Sequence, residues 1–291
     1  MNKSYAARKR TIQKYAGRIT AKVFKTAALA LFLLFAVLPL FWIIVTSLKP
    51  LDEIYIFPLR YIPSNITFEG YRKLLGFANF GRYFTNSVVI SLLAAAGGLC
   101  VSVLSGFALS RLRAFRKARV ILLLLYFTQM VPSFILMVPL FFNLSRLGLT
   151  NNRLVLAVVY ASTTIAFGAI MAKSFFDRIP ASLEEAALID GCDLFSALFR
   201  VILPVSLPGL IAIFSFAFVN VWNELFLAVM LMSSDAKMTV PVALNSFISK
   251  AGVSWDIMSA GIVVALLPTM IIFAFGQKYI VAGLTDGGVK G

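Results

Sequence analysis

IPASLEEAALIDGCDLFSALFRVILPVSLPGL, residues 179–210, is the one long polar-containing segment set between apolar runs, and its pattern is that of structure and not of loose loop. Pro180 precedes Ser182, and Ser182 with Glu185 three residues on has the spacing of a capping box, in which hydroxyl and carboxylate each satisfy an orphan backbone donor at a helix start. Gly191 supplies a residue able to turn left-handed at the end of that short helix. Asp193 can then cap a second helix whose Leu194, Phe195, Leu198 and Phe199 fall on one face. Leu203-Pro204 and Leu207-Pro208 are expected to close it, because proline disfavours a helical residue before it. The product is a compact knob with an acidic rim of Glu184, Glu185, Asp190 and Asp193, suited to docking into a partner. A surface helix pair that merely links two spans carries the same local signals.

Composition explains the apolar flanks. Hydrophobic residues make up 60% of the 291 and mean hydropathy is +0.91, far above the roughly 45–50% apolar usage of a soluble domain. This is the composition of a polytopic membrane protein. The 27 Lys and Arg against 12 Asp and Glu, a net charge of +15, flank apolar runs instead of forming a basic face interleaved with aromatics. They read as determinants of membrane orientation, with lipid as the surroundings and no nucleic acid as partner. The absence of histidine removes the commonest general base and metal ligand. Cys100 and Cys192 fall in an apolar span and in the 179–210 loop, without metal-ligand spacing, and are read as unpaired thiols.

Residues 1–25 carry Lys3, Arg8, Lys9, Arg10, Lys14, Arg18, Lys22 and Lys25 with no acid. About 22 apolar residues follow, enough to span a bilayer and too long for a signal-peptide core, so the first span reads as an uncleaved anchor. Five further runs are drawn at 85–109, 120–142, 154–175, 207–232 and 257–280. Six spans put both ends on one side. The basic first segment and the hinge of Arg111, Arg113, Arg116, Lys117 and Arg119 make that side the cytoplasm, and alternation puts 179–210 there too, although its net acidity runs against the charge bias. The expected fold is an all-α integral membrane protein of six transmembrane helices with cytoplasmic N- and C-termini. Its basic cytoplasmic segment, 1–25, precedes a single membrane domain, 26–291. Pro39, Pro132, Pro139 and Pro268, inside spans, imply local breaks whose freed carbonyls need partners. Outside, segments 49–84 and 233–256 are long enough to offer docking surfaces.

No stretch matches a P-loop, so ATP hydrolysis by this chain is not expected, and nucleophilic, acid/base and metal chemistry all lack their parts. No cofactor or metal is expected in the chain. Glu224, in Asn220-Val221-Trp222-Asn223-Glu224-Leu225, is the acid clearly inside a span. A charge at mid-membrane costs about 2.5–3.5 kcal/mol on insertion scales, so Glu224 should face a cavity, be paired or be protonated. Glu224 marks the interior face of its span, and Asn220, Trp222, Asn223 and Glu224 are candidates for the lining of a path through the bundle or for an interhelical hydrogen-bond knot at a subunit interface.

Glu185-Ala186-Ala187, Gly191 after three further residues, then Val201 and Leu203-Pro204 resemble the EAA loop of bacterial ABC importer permeases, with Val201 where the family has isoleucine and Cys192 where a small residue is usual. Trp222-Asn223-Glu224 resembles the Trp-Asn-Glu-Phe signature of carbohydrate permeases of the maltose-transporter type, with Leu225 replacing phenylalanine. Asn86-Ser87, residues 237–242 and the closing residues 278–291 are similar to the matching parts of the second permease of such importers, so the likeness runs from the first span to the end. The resemblance implies a type I importer permease fold with cytoplasmic coupling helices. It implies that Glu184, Glu185, Ala186, Ala187, Asp190, Gly191, Leu203 and Pro204 form a coupling loop seated on an ATPase. It further implies a second permease subunit as heterodimeric partner, two ATPase subunits that bind ATP and Mg, and an extracytoplasmic solute-binding protein, at a bacterial inner membrane. A sugar or oligosaccharide is the implied solute; glycerol-phosphate, polyamine and peptide importers are alternatives within the family. A polytopic enzyme acting on lipid would need clustered acids at a membrane edge, and a passive channel would not need the knob.

Overall fold

The computed structural model describes residues 2–76, 80–112, 116–249 and 252–285; Arg113 of the basic hinge and the closing residues 286–291 lie outside that set. The chain divides into two compact units, Met1–Arg72 with Trp255–Val263, and Lys73–Ser254 with Val264–Gly291.

The first unit is built on α1 (Asn2–Ser47), which runs through Pro39 without interruption. Its Thr20–Ser47 portion is long and apolar enough to cross a membrane and buries none of its most apolar window against the rest of the chain. Beyond α2 (Leu51–Ile54) the chain returns: Thr67 N–H donates to Leu48 O at 3.0 Å, and the Ser47 and Tyr71 hydroxyls lie 2.8 Å apart in a shared hydrogen bond. Glu53, 5% exposed, clamps this return by accepting from the hydroxyl and the backbone N–H of Ser64 and from Arg60. Those bonds, the Ser64 hydroxyl first, hold its carboxyl below the ordinary value, so the clamp is intact at neutral pH and lost as pH falls through that lowered value. α3 (Glu69–Gly76) begins in this unit.

The second unit holds α4 (Phe80–Arg111), α5 (Arg116–Met130), α6 (Ser133–Arg146), α7 (Arg153–Phe176), α8 (Ala181–Ile189) and α9 (Leu194–Ala197). A π turn (Leu198–Ile202), α10 (Leu203–Val205), α11 (Leu207–Trp222), α12 (Phe226–Leu231), a 3-10 turn (Asp235–Lys237) and α13 (Val240–Ser246) follow. β1 (Ile248–Ser249) pairs antiparallel with β2 (Gly252–Val253), a two-residue ribbon within an otherwise helical fold. α14 (Trp255–Thr285) closes the described chain and belongs in part to each unit.

Among the described residues four helices are long and apolar enough to span, Thr20–Ser47, Phe80–Arg111, Arg153–Phe176 and Trp255–Tyr279, and two bent pairs raise the number to six. Two helix breaks correct sequence expectations. The third span is not one run over 120–142: Pro132, at φ −62° and ψ 130°, lacks the N–H that would continue α5, and α6 departs at 92°. The fifth is not one run over 207–232, because α11 ends at Trp222 and α12 begins at Phe226. Pro39, Pro139 and Pro268 make no such break; each lies inside a helix.

Two buried clusters form the core of this unit. One gathers Ile90, Ala94, Leu156, Ala157, Tyr160, Val221 and Leu227, and the other Val103, Phe107, Ala172, Phe176, Leu198, Ile202 and Ile213. Small residues let α4 and α7 approach closely, the usual route to helix association where apolar burial gives no advantage over lipid. The second span starts earlier than residue 85, at Phe80, and Asn86 and Ser87 near its start are tie points. Asn86 Nδ2 donates to Ala236 O (3.0 Å) and Met238 O (2.9 Å), its Oδ1 accepts from Arg153 (2.6 Å), and Ser87 Oγ accepts from Val240 N–H (2.8 Å). These bonds pin the 233–240 loop to α4.

A side-chain carbon at Gly106 would lie 2.6 Å from Ala172 Cβ and 2.8 Å from Lys173 N, whereas one at Gly97 would meet Ala161 Cβ at an ordinary 3.8 Å. Gly106→Ala is therefore expected to destabilise the purified protein by about 1–3 kcal/mol and Gly97→Ala to leave it unchanged. Thermal unfolding in detergent measures both, and equal midpoints would contradict the packing.

Candidate functional site

The knob is built as two short helices joined through Gly191 and capped at the second by Asp193, as its sequence suggests, but the expected cap of the first is absent. α8 begins at Ala181 with Pro180 at the N-cap (φ −58°, ψ 135°) and no side-chain capping bond, so Ser182 and Glu185 form no capping box. Proline sets the extended boundary itself, which puts Ser182 inside the first turn, where its hydroxyl no longer precedes the orphan donors. At the other end Gly191 (φ +88°) makes the left-handed turn: Gly191 N–H donates to Leu188 O at 3.1 Å and Cys192 N–H to Ala187 O at 3.0 Å, the paired bonds of a Schellman ending. A carbon added at Gly191 meets nothing within 4 Å, so a side chain there costs backbone strain alone, about 1 kcal/mol. Asp193 caps α9 by accepting from Ser196 N–H at 3.0 Å. Hydrogen bonds from Ser196 hold the Asp193 carboxyl below its ordinary value, so the cap persists at neutral pH and fails only in acid.

Leu203-Pro204 does not end the second helix. The π turn lets Leu203 N–H reach Leu198 O, Pro204 takes an early position in α10 where no N–H is needed, and the chain bends 81° only at Ser206 before α11. That turn also rearranges the expected apolar face. Ala197, Leu198 and Ile202 point inward, while Leu194, Phe195 (66% exposed) and Phe199 point out. With Leu188 and Ile189 (86% exposed) they make the knob surface apolar beside the exposed Glu185 and Asp190. Ala187 is buried and Ala186 exposed. Glu184 is turned back onto the chain, accepting from Arg111 Nε at 2.5 Å.

The break in the fifth span is held by Glu224. Both carboxylate oxygens accept from Leu227 N–H at 3.1 Å, capping α12, and Oε2 also accepts from the Tyr160 hydroxyl at 2.6 Å. Trp222 is 2% exposed: its Nε1 donates to Ala265 O at 3.0 Å, and its ring meets Phe84 and stacks on Phe218, so it packs within the chain. Asn223 is exposed, its amide bonded to Val219 O. Asn220 and Glu224 line a cavity of about 240 Å³ with Gln129, Ser133, Tyr160, Thr163, Thr164, Phe167, Phe216 and Val221. Phe167 and Phe216 are stacked, centroids 4.1 Å apart. Of the four residues singled out from the sequence, two share this cavity. The signal that would have found Gln129, Ser133, Tyr160 and Thr163 was the run of polar groups in the third and fourth spans, which a search confined to charges passes over.

Glu224→Gln keeps an acceptor for Leu227 N–H and for the Tyr160 hydroxyl, while Glu224→Ala removes the cap and takes from the buried Tyr160 hydroxyl the acceptor of its proton. Thermal unfolding should show a loss of about 1–3 kcal/mol for the alanine variant and under about 1 kcal/mol for the glutamine variant, with solute uptake following the same order. Equal losses in the two would mean that the charge, and not the hydrogen bonds, matters.

Residues 98–286 match the family described as binding-protein-dependent transport system inner membrane component. The chain is 34% identical to an inner membrane ABC transporter permease of Escherichia coli K12, over 90% of this chain and 94% of that one. It is 34% identical to the sulfoquinovosyl glycerol transport system permease of Agrobacterium fabrum (94% and 95% covered) and 33% identical to the trehalose transport system permease of Mycobacterium tuberculosis (88% and 93%). Among solved structures it is similar to a chain of a bacterial ABC transporter involved in import of the acidic polysaccharide alginate, at 27% identity and a TM-score of 0.78, covering 91% of this chain and 97% of that chain. The chain belongs to the family of inner membrane components of binding-protein-dependent transport systems, and it is a multi-pass permease subunit.

Proposed function

We propose that this permease forms part of the translocation pathway for a sugar or oligosaccharide in an ATP-driven importer. The observation that carries the solute class is the cavity at the broken fifth span, where an amide pair, hydroxyls, a carboxylate and a stacked aromatic pair converge. Such groups bond hydroxyls and pack against the apolar faces of sugar rings. The trehalose and sulfoquinovosyl glycerol permeases among its relatives support the same reading. A second permease subunit completes the pathway as a heterodimer, an extracytoplasmic binding protein delivers the solute, and two ATPase subunits bind and hydrolyse ATP with Mg. The 179–210 knob is the coupling loop: its exposed Ile189 and Phe195 and its carboxylates Glu185 and Asp190 face the ATPase, and Ala186, Ala187, Gly191, Leu203 and Pro204 give it shape. Motion of the ATPases rocks the bundle between inward and outward access.

The solute class is tested by thermal stabilisation of the cognate binding protein against neutral and acidic oligosaccharides, polyamines and peptides. A true ligand at a hundred times its Kd should stabilise it by about 2.7 kcal/mol, and stabilisation by a polyamine or peptide in place of every sugar would overturn the proposal. The topology is tested with Ser182→Cys, an exposed position on α8, in a background with Cys100 and Cys192 replaced. A membrane-impermeant maleimide should label it in inverted vesicles only. Labelling of intact cells or spheroplasts would put the knob on the wrong side for an ATPase.

A further inference from the structure

We propose that the Arg111–Glu184 ion pair is the strut that hands movement of the knob to α4, making both residues positioning residues for coupling; this rests on the coupling-loop reading above. The knob has two covalent routes into the bundle, residues 177–180 from α7 and α10 with its 81° bend into α11, and neither leads to α4. Its first half, α8, buries Ala187 alone of its nine residues, too little apolar surface to fix a helix against the bundle. What reaches it from the bundle is Arg111, in the last turn of α4, whose Nε donates to Glu184 Oε2 at 2.5 Å with the two side chains 23% and 13% exposed.

The guanidinium stands where the ends of α4 and α7 meet. It lies over the Phe107 ring at 5.3 Å, and its Nη1 points at Phe176 O and Ser110 Oγ, each 3.4 Å away. Beside it the Ser110 hydroxyl donates to Asp177 Oδ1 at 2.6 Å, and Lys173 pairs with Asp177 at 2.6 Å, so the two helix ends are tied to each other at the same point. Among the described residues Arg111 Nη2 is buried without a partner. A guanidinium so placed cannot simply turn to water when Glu184 is withdrawn, so movement of α8 draws on α4. Each charge also suits its helix: the acid is in the first turn of α8 and the base in the last turn of α4, where backbone partial charges favour them. Glu185, next in sequence but exposed, is left for a partner.

The test is a double-mutant cycle in the assembled importer, with Arg111→Gln, Glu184→Gln and both together. It uses the sugar that stabilises the binding protein and reads solute moved per ATP hydrolysed. Complex yield and thermal midpoint report assembly, and Arg111→Lys, which keeps the charge and loses the fork, is included in case Arg111→Gln assembles poorly. Each single change is expected to lower the coupling ratio about ten-fold with basal ATP hydrolysis retained, and the pair together no further, because two partners of one link fail as a unit. Arg111→Lys should fall between wild type and Arg111→Gln. Wild-type coupling ratios in all variants, or losses that multiply in the double variant, overturn the strut. A cysteine at Ile189 cross-linked to the ATPase separates the two readings. An adduct in wild type with unaltered ratios in the variants defeats the strut alone, whereas no adduct in wild type defeats the coupling-loop reading and the strut with it.

Discussion

The second unit depends on how closely two backbones approach. A single carbon at Gly98 would fall 2.3 Å from Thr164 Oγ1, one at Gly168 2.3 Å from Ser102 Oγ, and one at Gly106 inside the Ala172 contact, so α4 and α7 pack without room for a further carbon at these three points. In lipid this matters more than in water, because hydrocarbon offers apolar side chains as good a home as another helix does, and only close packing and polar contacts favour association. α11 joins by the same means: Gly209 sits where any side chain would enter the Phe175 ring. The polar contacts then cluster at the two ends of this helix group, with Asn86, Ser87 and Arg153 at one end and Ser110, Lys173 and Asp177 at the other.

Against that rigid pair, the irregular backbone is confined to places where its freed groups are met. At the end of α11 Asn223 N–H still finds Val219 O, and the Glu224 carboxylate takes the Leu227 N–H that opens α12. At the bend before α11 both the hydroxyl and the N–H of Ser206 go to Ile202 O. Non-helical chain at membrane depth is tolerated when protein satisfies it, and here the satisfying residues also line the cavity or shape the knob. The chemistry of the proposed pathway and the mechanics of the broken helices are therefore not separable: Glu224 serves both.

How far these features were legible differs with the physics of each. Gly191 and Asp193 were readable because a left-handed turn and an N-cap are decided within a few residues. The helical spans were readable because hydrocarbon thickness imposes a length on apolar runs. The capping box at Ser182 was misread because Pro180 takes the N-cap two residues earlier, a contest between local signals that spacing cannot judge. Pro204 was misread as a stop because a π turn absorbs the extra residue, and nothing in the run LFRVI announces the change of hydrogen-bond register. The break beside Trp222 was missed since neither Asn223 nor Glu224, though polar, is a helix breaker as Pro or Gly would be. Its cause is tertiary, in Tyr160 of a different helix. The same holds for Arg111 and Glu184, which lie 73 residues apart and whose pairing is set by where α4 ends in space.

α1 stands apart from all of this. It is unbroken from Asn2 to Ser47, crosses its proline without a stop, and in its most apolar stretch buries no residue within the chain. Such a helix satisfies its own backbone and needs no partner from the same chain to be stable in lipid. In biogenesis it can therefore leave the translocation machinery as soon as it is made, with its basic leading segment deciding which way round it lies before any later helix exists. The close-packed α4 and α7 have no such freedom: 41 residues of α5, α6 and connecting chain, 112–152, must be threaded before α4 meets the surface it is shaped for.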